Sequence, residues 1–155
     1  MRAAVSFITC AVMMCCSFPT RALAAPKAAT PHVVTLMATD QMRFDPATVE
    51  VKAGEAVRVV LKPTSAMPKI AMAHNFVILK PGVKEGEFVD KSATARPDFI
   101  APELKARVLV FTAVAGGGET VSADFKAPLK PGHYTFICTF PGHFASGMKG
   151  VLVVK

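Results

Sequence analysis

Three side chains that bind soft metal ions lie close together near the C-terminus of the sequence. Cys138, His143 and Met148 follow one another at intervals of five residues, so a thiolate, an imidazole and a thioether share one short segment. The segment lies between two apolar, β-branched runs, and one loop between two strands could therefore direct all three side chains to one point. One thiolate, two imidazoles and a weakly bound thioether form a ligand set that suits copper cycling between Cu(I) and Cu(II).

The second imidazole of such a set has to come from elsewhere in the chain, and His74 is the candidate. It lies two residues before the start of a strand-like run at 76–79. A ligand on a strand so far upstream would tie the metal site to the whole domain. The carbonyl group of Ala73 is a candidate for a weak axial contact, opposite the Met148 thioether.

Two further residues are candidates for the hydrogen bonds that orient these ligands. Asn75 follows the upstream histidine and could bind the ligand loop or lie near the Cys138 sulfur. The backbone N–H of Phe140 could donate to the same sulfur. Because such outer hydrogen bonds fix the ligands and tune the metal, we expect both residues to lie beside the site.

The N-terminal segment has the pattern of an export signal. A short basic start is followed by an apolar run from Ala3 to Phe18 and by the small-x-small motif Ala22-Leu23-Ala24. We expect residues 1–24 to be a signal peptide, residues 25–31 a flexible leader and residues 32–155 the folded domain. An uncleaved N-terminal anchor is the alternative.

Removal of this signal changes the cysteine count of the chain. Three of the four cysteines leave with it, and residues 25–155 retain only Cys138. A disulfide within the exported chain is then impossible. A thiol bound to a metal would be protected in an oxidising compartment, which explains how a single cysteine persists there.

The basic charge of the chain bears on its partners. Without the signal the formal net charge falls from +7 to +5, because two basic residues leave with it. Such a surface favours acidic partners or anionic membrane faces. The remaining lysines are spread along the chain with no arginine or aromatic cluster, which argues against a nucleic-acid partner. No apolar run beyond residue 24 approaches bilayer length, so we expect no stable membrane insertion.

Residues 32–155 have the pattern of an all-β domain. Short apolar and β-branched runs recur between turns rich in proline and glycine, which is typical of an antiparallel sandwich or barrel. We expect a Greek-key β-sandwich or barrel of about eight strands, in which residues 49–51 and 57–61 form a hairpin-like pair. The polar segment 83–105 is expected to leave the sheets and to hold a short helix around 91–96.

These segments together resemble the small blue-copper proteins of the cupredoxin family, of the azurin, auracyanin and plastocyanin type. The resemblance covers essentially all of residues 32–155, and the ligand loop is its most specific part. It implies the sandwich fold, a single copper ion as cofactor and one-electron transfer as the function. The matching segments are Met72–Phe76, Arg107–Thr112, Cys138–His143, Met148–Gly150 and the earlier Phe44–Pro46 and Val51–Glu55.

The sequence departs from azurins in and around the ligand set. Azurins place the methionine one residue closer to the loop histidine, whereas Met148 follows His143 by five residues, as in auracyanins and plastocyanins. Azurins usually carry glycine where this chain has Ala73, and they contain a disulfide that residues 25–155 cannot form. The axial contacts are therefore where we expect this site to differ most from an azurin site.

The resemblance also implies how such a protein meets its partners. His143 is expected to be the solvent-facing ligand, ringed by Phe140 and by an apolar docking patch of Met72, Pro141 and Phe144. A patch of this kind suits brief docking. The expected partners are redox proteins such as cytochromes or copper oxidoreductases, and the expected location and state are the periplasm and a monomer.

Enzyme classes fit the sequence less well. Copper nitrite reductases and multicopper oxidases need further histidine clusters and more domains, and a binuclear copper site needs a second cysteine. Structural zinc sites do not normally use methionine, and a Cys–His nucleophilic enzyme gives Met148 no role. We therefore expect no enzyme activity. The remaining alternative is a copper-binding or trafficking module that does not carry electrons.

Overall fold

The computed structural model of the protein describes residues 30–155. The expected signal peptide, 1–24, and most of the expected leader, 25–31, lie outside the described residues. Within residues 30–155, no helix is long and apolar enough to cross a membrane. The elements in chain order are β1 (His32–Thr39), β2 (Arg43–Asp45), β3 (Thr48–Val51), β4 (Ala56–Pro63), β5 (Ala73–His74), β6 (Val77–Leu79), α1 (Glu85–Ser92), a 3-10 helix (Pro102–Arg107), β7 (Val108–Phe111), β8 (Ala115–Gly116), β9 (Val121–Lys126), β10 (Gly132–Ile137) and β11 (Lys149–Val154).

Two β-sheets pack against each other, as the sequence predicted. The first sheet has the strand order β2-β1-β4-β9, the second has the order β3-β11-β10-β6-β7, and β5 pairs with β8 in a separate ribbon. In β4, Val57, Val59 and Leu61 are buried and the residues between them are more exposed. This period of two directs one face of the sheet to the core and the other to water. The expected all-β sandwich is therefore confirmed.

Aromatic rings fill the space between the sheets. The Phe136 ring of β10 lies 5.3 Å from the Phe44 ring of β2 and 4.9 Å from the Phe76 ring, measured between centroids. Cys138 and Met148 belong to the same buried cluster. Two of the predicted metal ligands thus rest directly on the core of the sandwich.

The expected hairpin of residues 49–51 and 57–61 is wrong. β3 and β4 belong to different sheets, and each pairs in parallel with a strand distant in sequence, β11 and β1 respectively. The turn between them carries the chain from one sheet to the other, with Gly54 in a left-handed conformation at φ +73°. An alternating pattern says which side chains face the core, but it does not say which strand lies alongside. The sheets are accordingly mixed, and strands as short as β5 and β8 raise their number above the expected eight.

The segment 83–105 leaves the sheets as expected, but its helix lies earlier than predicted. The helix occupies Glu85–Ser92 instead of 91–96. Phe88 and Val89 explain this position, because both are buried in a second apolar cluster with residues of β6 and β10. Pro97 disfavours helical backbone in the residue before it, which argues against a helix that continues to 96.

Gly150 in β11 stands where a side chain has no room. A Cβ atom there would overlap the Phe136 ring and the carbonyl oxygen of Ala47. We expect Gly150→Ala to lower the free energy of unfolding by about 1–3 kcal/mol, because neither neighbour can move aside easily. Gly86→Ala in α1 is the control, since a Cβ atom there meets nothing within 4 Å. Denaturant unfolding measures both variants, and equal stabilities would contradict the prediction.

Candidate metal centre

The loop between β10 and β11 carries three of the four predicted ligands at one end of the sandwich. β10 ends at Ile137 and β11 begins at Lys149, so Cys138 and Met148 are the first and last residues of the loop. The backbone N–H of Cys138 donates to the carbonyl oxygen of Met148 over 3.2 Å. This bond continues the antiparallel pairing of the two strands and places the thiol and the thioether residues side by side.

Hydrogen bonds inside the loop turn His143 back toward the cysteine. The N–H of His143 donates to the carbonyl of Phe140 over 3.1 Å, and the N–H of Met148 donates to the carbonyl of His143 over 2.9 Å. Gly142 has a φ of +85°, a left-handed backbone that glycine adopts without strain. As a result, the Nδ1 atom of His143 lies 3.5 Å from the Cys138 sulfur.

His74 reaches this loop from the ribbon of β5 and β8. Its Nδ1 atom lies 3.2 Å from the Met148 sulfur. The ligand atoms of His74, Cys138 and His143 all lie within 4.8 Å of one another. The four predicted ligand side chains therefore converge. All four residues are buried, with His143 exposing 3% of its surface and the other three 0%.

Asn75 links the two segments that carry these ligands. Its Nδ2 group donates to the Thr139 hydroxyl over 2.8 Å and to the carbonyl of Asp98 over 2.9 Å. Its Oδ1 atom accepts from the backbone N–H of Thr139 over 2.8 Å. Because Asn75 follows His74 and Thr139 follows Cys138, these bonds fix the upstream ligand segment directly against the ligand loop.

Burial controls the protonation of the Cys138 thiol. Loss of hydration penalises the thiolate and raises the pKa of Cys138 to about 12. The backbone N–H groups of Asn75 and Phe140 hydrogen-bond to the sulfur and oppose this rise in pKa. In each case the group that acts on the sulfur is the backbone N–H, since the Asn75 side chain binds Thr139 instead.

The two imidazoles are uncharged near neutral pH. Burial, helped by the neighbouring His143, lowers the pKa of His74 to about 4, while the carboxylate of Asp40 opposes this shift. Burial also lowers the pKa of His143. Each ring therefore keeps a nitrogen lone pair free of a second proton, which is the form that binds metals.

The hydrogen bonding of His74 fits a metal-binding imidazole. Its buried Nε2 atom has no hydrogen-bond partner within residues 30–155. Its Nδ1 atom lies against the Met148 thioether, which is only a weak acceptor. A metal ion at Nδ1 would replace this weak contact with a bond, whereas Nε2 lies at the other end of the ring and would keep its proton. A thiol, two imidazole nitrogens and a thioether are soft and borderline donors, so the residues present fit a copper ion.

Phe140 covers His143, and the predicted docking residues differ in their exposure. The Phe140 ring lies 4.8 Å from the His143 ring, so His143 is covered instead of facing solvent. Pro141 is exposed, whereas Met72 and Phe144 are half-buried. Any contact with the histidine from outside would therefore pass through a thin apolar cover.

Sequence reasoning missed three residues that support the site. Thr139 and Asp98 bind Asn75, and the Phe99 ring packs edge-on against Phe140 at 5.2 Å. Thr139 could have been noticed as a polar residue beside a ligand cysteine. Asp98 and Phe99 lie in an irregular segment that has no pattern to reveal them. Ala73 is buried at the start of β5, and the axial contact of its carbonyl group stays a prediction.

Comparison with known proteins places this geometry in a family. Residues 31–155 match the family described as copper binding proteins, plastocyanin/azurin family. The chain is 40% identical over 113 residues to outer membrane protein H.8 of Neisseria meningitidis serogroup B. This match covers 72% of this chain but only 61% of the H.8 protein. It is 40% identical over 134 residues to azurin of Bordetella pertussis, over 84% of this chain and 89% of the azurin.

A solved structure gives the same relationship. The crystal structure of reduced auracyanin from the photosynthetic bacterium Roseiflexus castenholzii has a TM-score of 0.70 and 31% identity, over 82% of this chain and 99% of that chain. The family match includes both sheets and all four converging side chains. The chain therefore belongs to the plastocyanin/azurin family of copper binding proteins, the cupredoxins.

Proposed function

We propose that the protein is an exported type 1 (blue) copper protein that carries single electrons between redox partners by outer-sphere transfer. One observation carries this proposal: the thiol of Cys138, the imidazoles of His74 and His143 and the thioether of Met148 converge in one buried cluster. Membership of a copper-binding family supports it.

Each of the four residues would contribute a different part of the site. The Cys138 thiol would bind as a thiolate, and the two backbone N–H groups at its sulfur would stabilise that negative charge. His74 and His143 would bind through Nδ1, the nitrogen that each directs into the cluster. Met148 would add a weakly bound thioether, and the Ala73 carbonyl is proposed as a further weak donor. A bound copper ion supplies the one-electron couple that these side chains lack.

The surroundings of the cluster favour one fixed arrangement of donors. Asn75 holds the upstream segment to the loop, and the packed core lies directly beneath Cys138 and Met148. Close-packed interiors resist displacement, so these donors would move little when the charge of the site changes. An electron carrier requires donor side chains that move little when the site gains or loses an electron, because each transfer then needs little rearrangement.

The surface above His143 would serve as the contact with partners. Met72, Pro141 and Phe144, together with Phe140, would form an apolar patch that is small enough for brief docking. Redox proteins such as cytochromes or copper oxidoreductases fit this patch as partners. We propose that the protein works as a monomer in the periplasm.

Copper titration tests the proposed function. Adding Cu(II) to the copper-free protein is expected to produce an intense blue thiolate-to-copper absorption at one equivalent, and a reductant should bleach it reversibly. Cys138→Ser should abolish the band, because the thiolate is its origin. A colourless complex, or binding of Cu(I) alone, would instead favour the copper-trafficking alternative.

A pair of histidine variants gives this titration a matched control. His143→Ala should weaken or shift the blue band, since it removes a proposed ligand. His133→Ala should leave the band unchanged, because His133 is exposed near the opposite end of β10. Equal spectra for the two variants would contradict the proposed ligand set.

Asn75 is expected to matter for both stability and spectrum. Asn75→Ala removes three hydrogen bonds and leaves the buried N–H of Thr139 unpaired, which should lower the free energy of unfolding by about 2–3 kcal/mol. Ser92→Ala is the control, because it removes a buried hydrogen bond to Ala101 away from the metal site. Both variants should lose stability in denaturant unfolding, but only Asn75→Ala should shift the blue band. An unchanged band in Asn75→Ala would refute the positioning role.

Phe144 tests the proposed docking patch. Phe144→Glu should slow electron exchange with a cytochrome while leaving the copper spectrum nearly intact, because a charge disrupts apolar docking without touching a ligand. Leu129→Glu is the control, since Leu129 is 77% exposed and contacts the distant turn at Gly54. Stopped-flow oxidation of a reduced cytochrome measures both rates. Equal rates for the two variants would count against the patch.

A further inference from the structure

Arg43 connects the start of β2 to the ligand loop. Its Nη1 group donates to the carbonyl oxygen of Ser146 over 2.6 Å, across 103 positions of sequence. The same nitrogen donates to the carbonyl of Met42 over 2.8 Å, and it lies 3.4 Å from the carbonyl of Gln41. The guanidinium is therefore held by its own turn before it reaches the loop, so little side-chain freedom remains to be lost.

The contact with Arg43 attaches the segment 144–147 of the loop to β2. Within residues 30–155, the other hydrogen bonds of the segment 144–147 stay inside the loop and its end: Ser146 to Gly142, Gly147 to Phe144, and Lys149 to Gly147. Arg43 thus gives this segment its only hydrogen bond to another strand among the described residues.

The contact fixes the peptide unit before Gly147, the residue that precedes Met148. The carbonyl of Ser146 and the N–H of Gly147 belong to one planar peptide unit. Arg43 binds its oxygen, and the carbonyl of Phe144 binds its N–H over 2.8 Å. Gly147 has a φ of +91°, and a Cβ atom there would lie 3.4–3.5 Å from the Arg43 guanidinium. The cation therefore packs closely against the flexible residue that directly precedes Met148.

We propose that Arg43 is a positioning residue for the metal site, which holds the segment 144–147 and thereby keeps the Met148 thioether against His74. The inference rests on the proposed function, because Met148 matters to electron transfer only as a copper ligand. The 3.2 Å contact between the Met148 sulfur and His74 Nδ1 is the feature that Arg43 maintains. Loss of the guanidinium removes one of the two hydrogen bonds of the Ser146–Gly147 peptide unit. Met148 then depends on its own backbone bonds to His143 and Cys138, and the loosened turn before it shifts the thioether.

Three variants test this role. Arg43→Met keeps a long side chain but removes the donors, and Arg43→Lys restores a cation with three donors. Arg58→Met is the matched control, because Arg58 is also exposed but pairs with Asp124 in the first sheet over 2.6 Å. The Arg43 side chain is exposed, so these substitutions leave both apolar clusters intact.

Amide hydrogen exchange of the copper-free protein gives the first measurement. Arg43→Met should speed the exchange of the Gly147 and Met148 amides about tenfold relative to the unmodified chain, which corresponds to about 1.4 kcal/mol. Arg43→Lys should recover much of this protection, and Arg58→Met should lose none. Unchanged exchange in Arg43→Met, or an equal increase in Arg58→Met, would overturn the proposal.

The spectrum and reduction potential of the copper-loaded protein give the second measurement. Arg43→Met should shift both, since the thioether is displaced, and Arg43→Lys should bring them back toward the unmodified values. Faster exchange with an unchanged spectrum would also overturn the proposal, because the loop would then be held without positioning Met148. If the unmodified protein gives no blue band, the proposed function fails, which the copper titration shows separately from any Arg43 variant.

Discussion

The site depends on the hydrogen bonds between Asn75 and Thr139, which join two segments 64 positions apart. Each of these residues directly follows a predicted ligand, so their pairing sets the separation of His74 and Cys138. Both residues are fully buried, and bonds of this kind are strong where water is excluded. The sandwich has to be folded before the two segments can meet. The candidate metal site is therefore a property of the whole domain, although three of its proposed ligands are local.

Burial has a cost that metal binding can offset. The copper-free protein keeps a thiol whose pKa is raised to about 12 and an imidazole whose pKa is lowered to about 4, both through loss of water. These groups are held neutral in an apolar setting with few partners of their own. A metal ion that takes their lone pairs replaces the lost hydration, so metal binding and folding stability are coupled. The same burial keeps the donors packed and limits their movement.

The sequence predicted those features that depend on local spacing. Cys138, His143 and Met148 could be grouped because one loop contains them, and His74 followed from the chemistry of the ligand set. The strands that pair with β3 and β4 could not be predicted. An alternating apolar pattern shows which face of a strand is buried, but it does not identify the neighbouring strand. The contacts of Asp98 with Asn75 and of Arg43 with Ser146 were equally hidden. They join residues 23 and 103 positions apart in the sequence. Their acceptors are backbone carbonyl groups, which every residue type has, so the sequence does not reveal them.

One loop would set both the metal environment and the proposed docking surface. Phe140 gives its backbone N–H to the Cys138 sulfur and its ring to the cover over His143. A change there would alter the ligand field and the docking surface together. Asn75 and Arg43 act on the same loop by hydrogen bonds from neighbouring segments of the fold. Changes to these hydrogen bonds would alter the positions of the proposed copper ligands without changing the apolar residues over His143. The metal environment and the proposed docking surface can therefore vary independently.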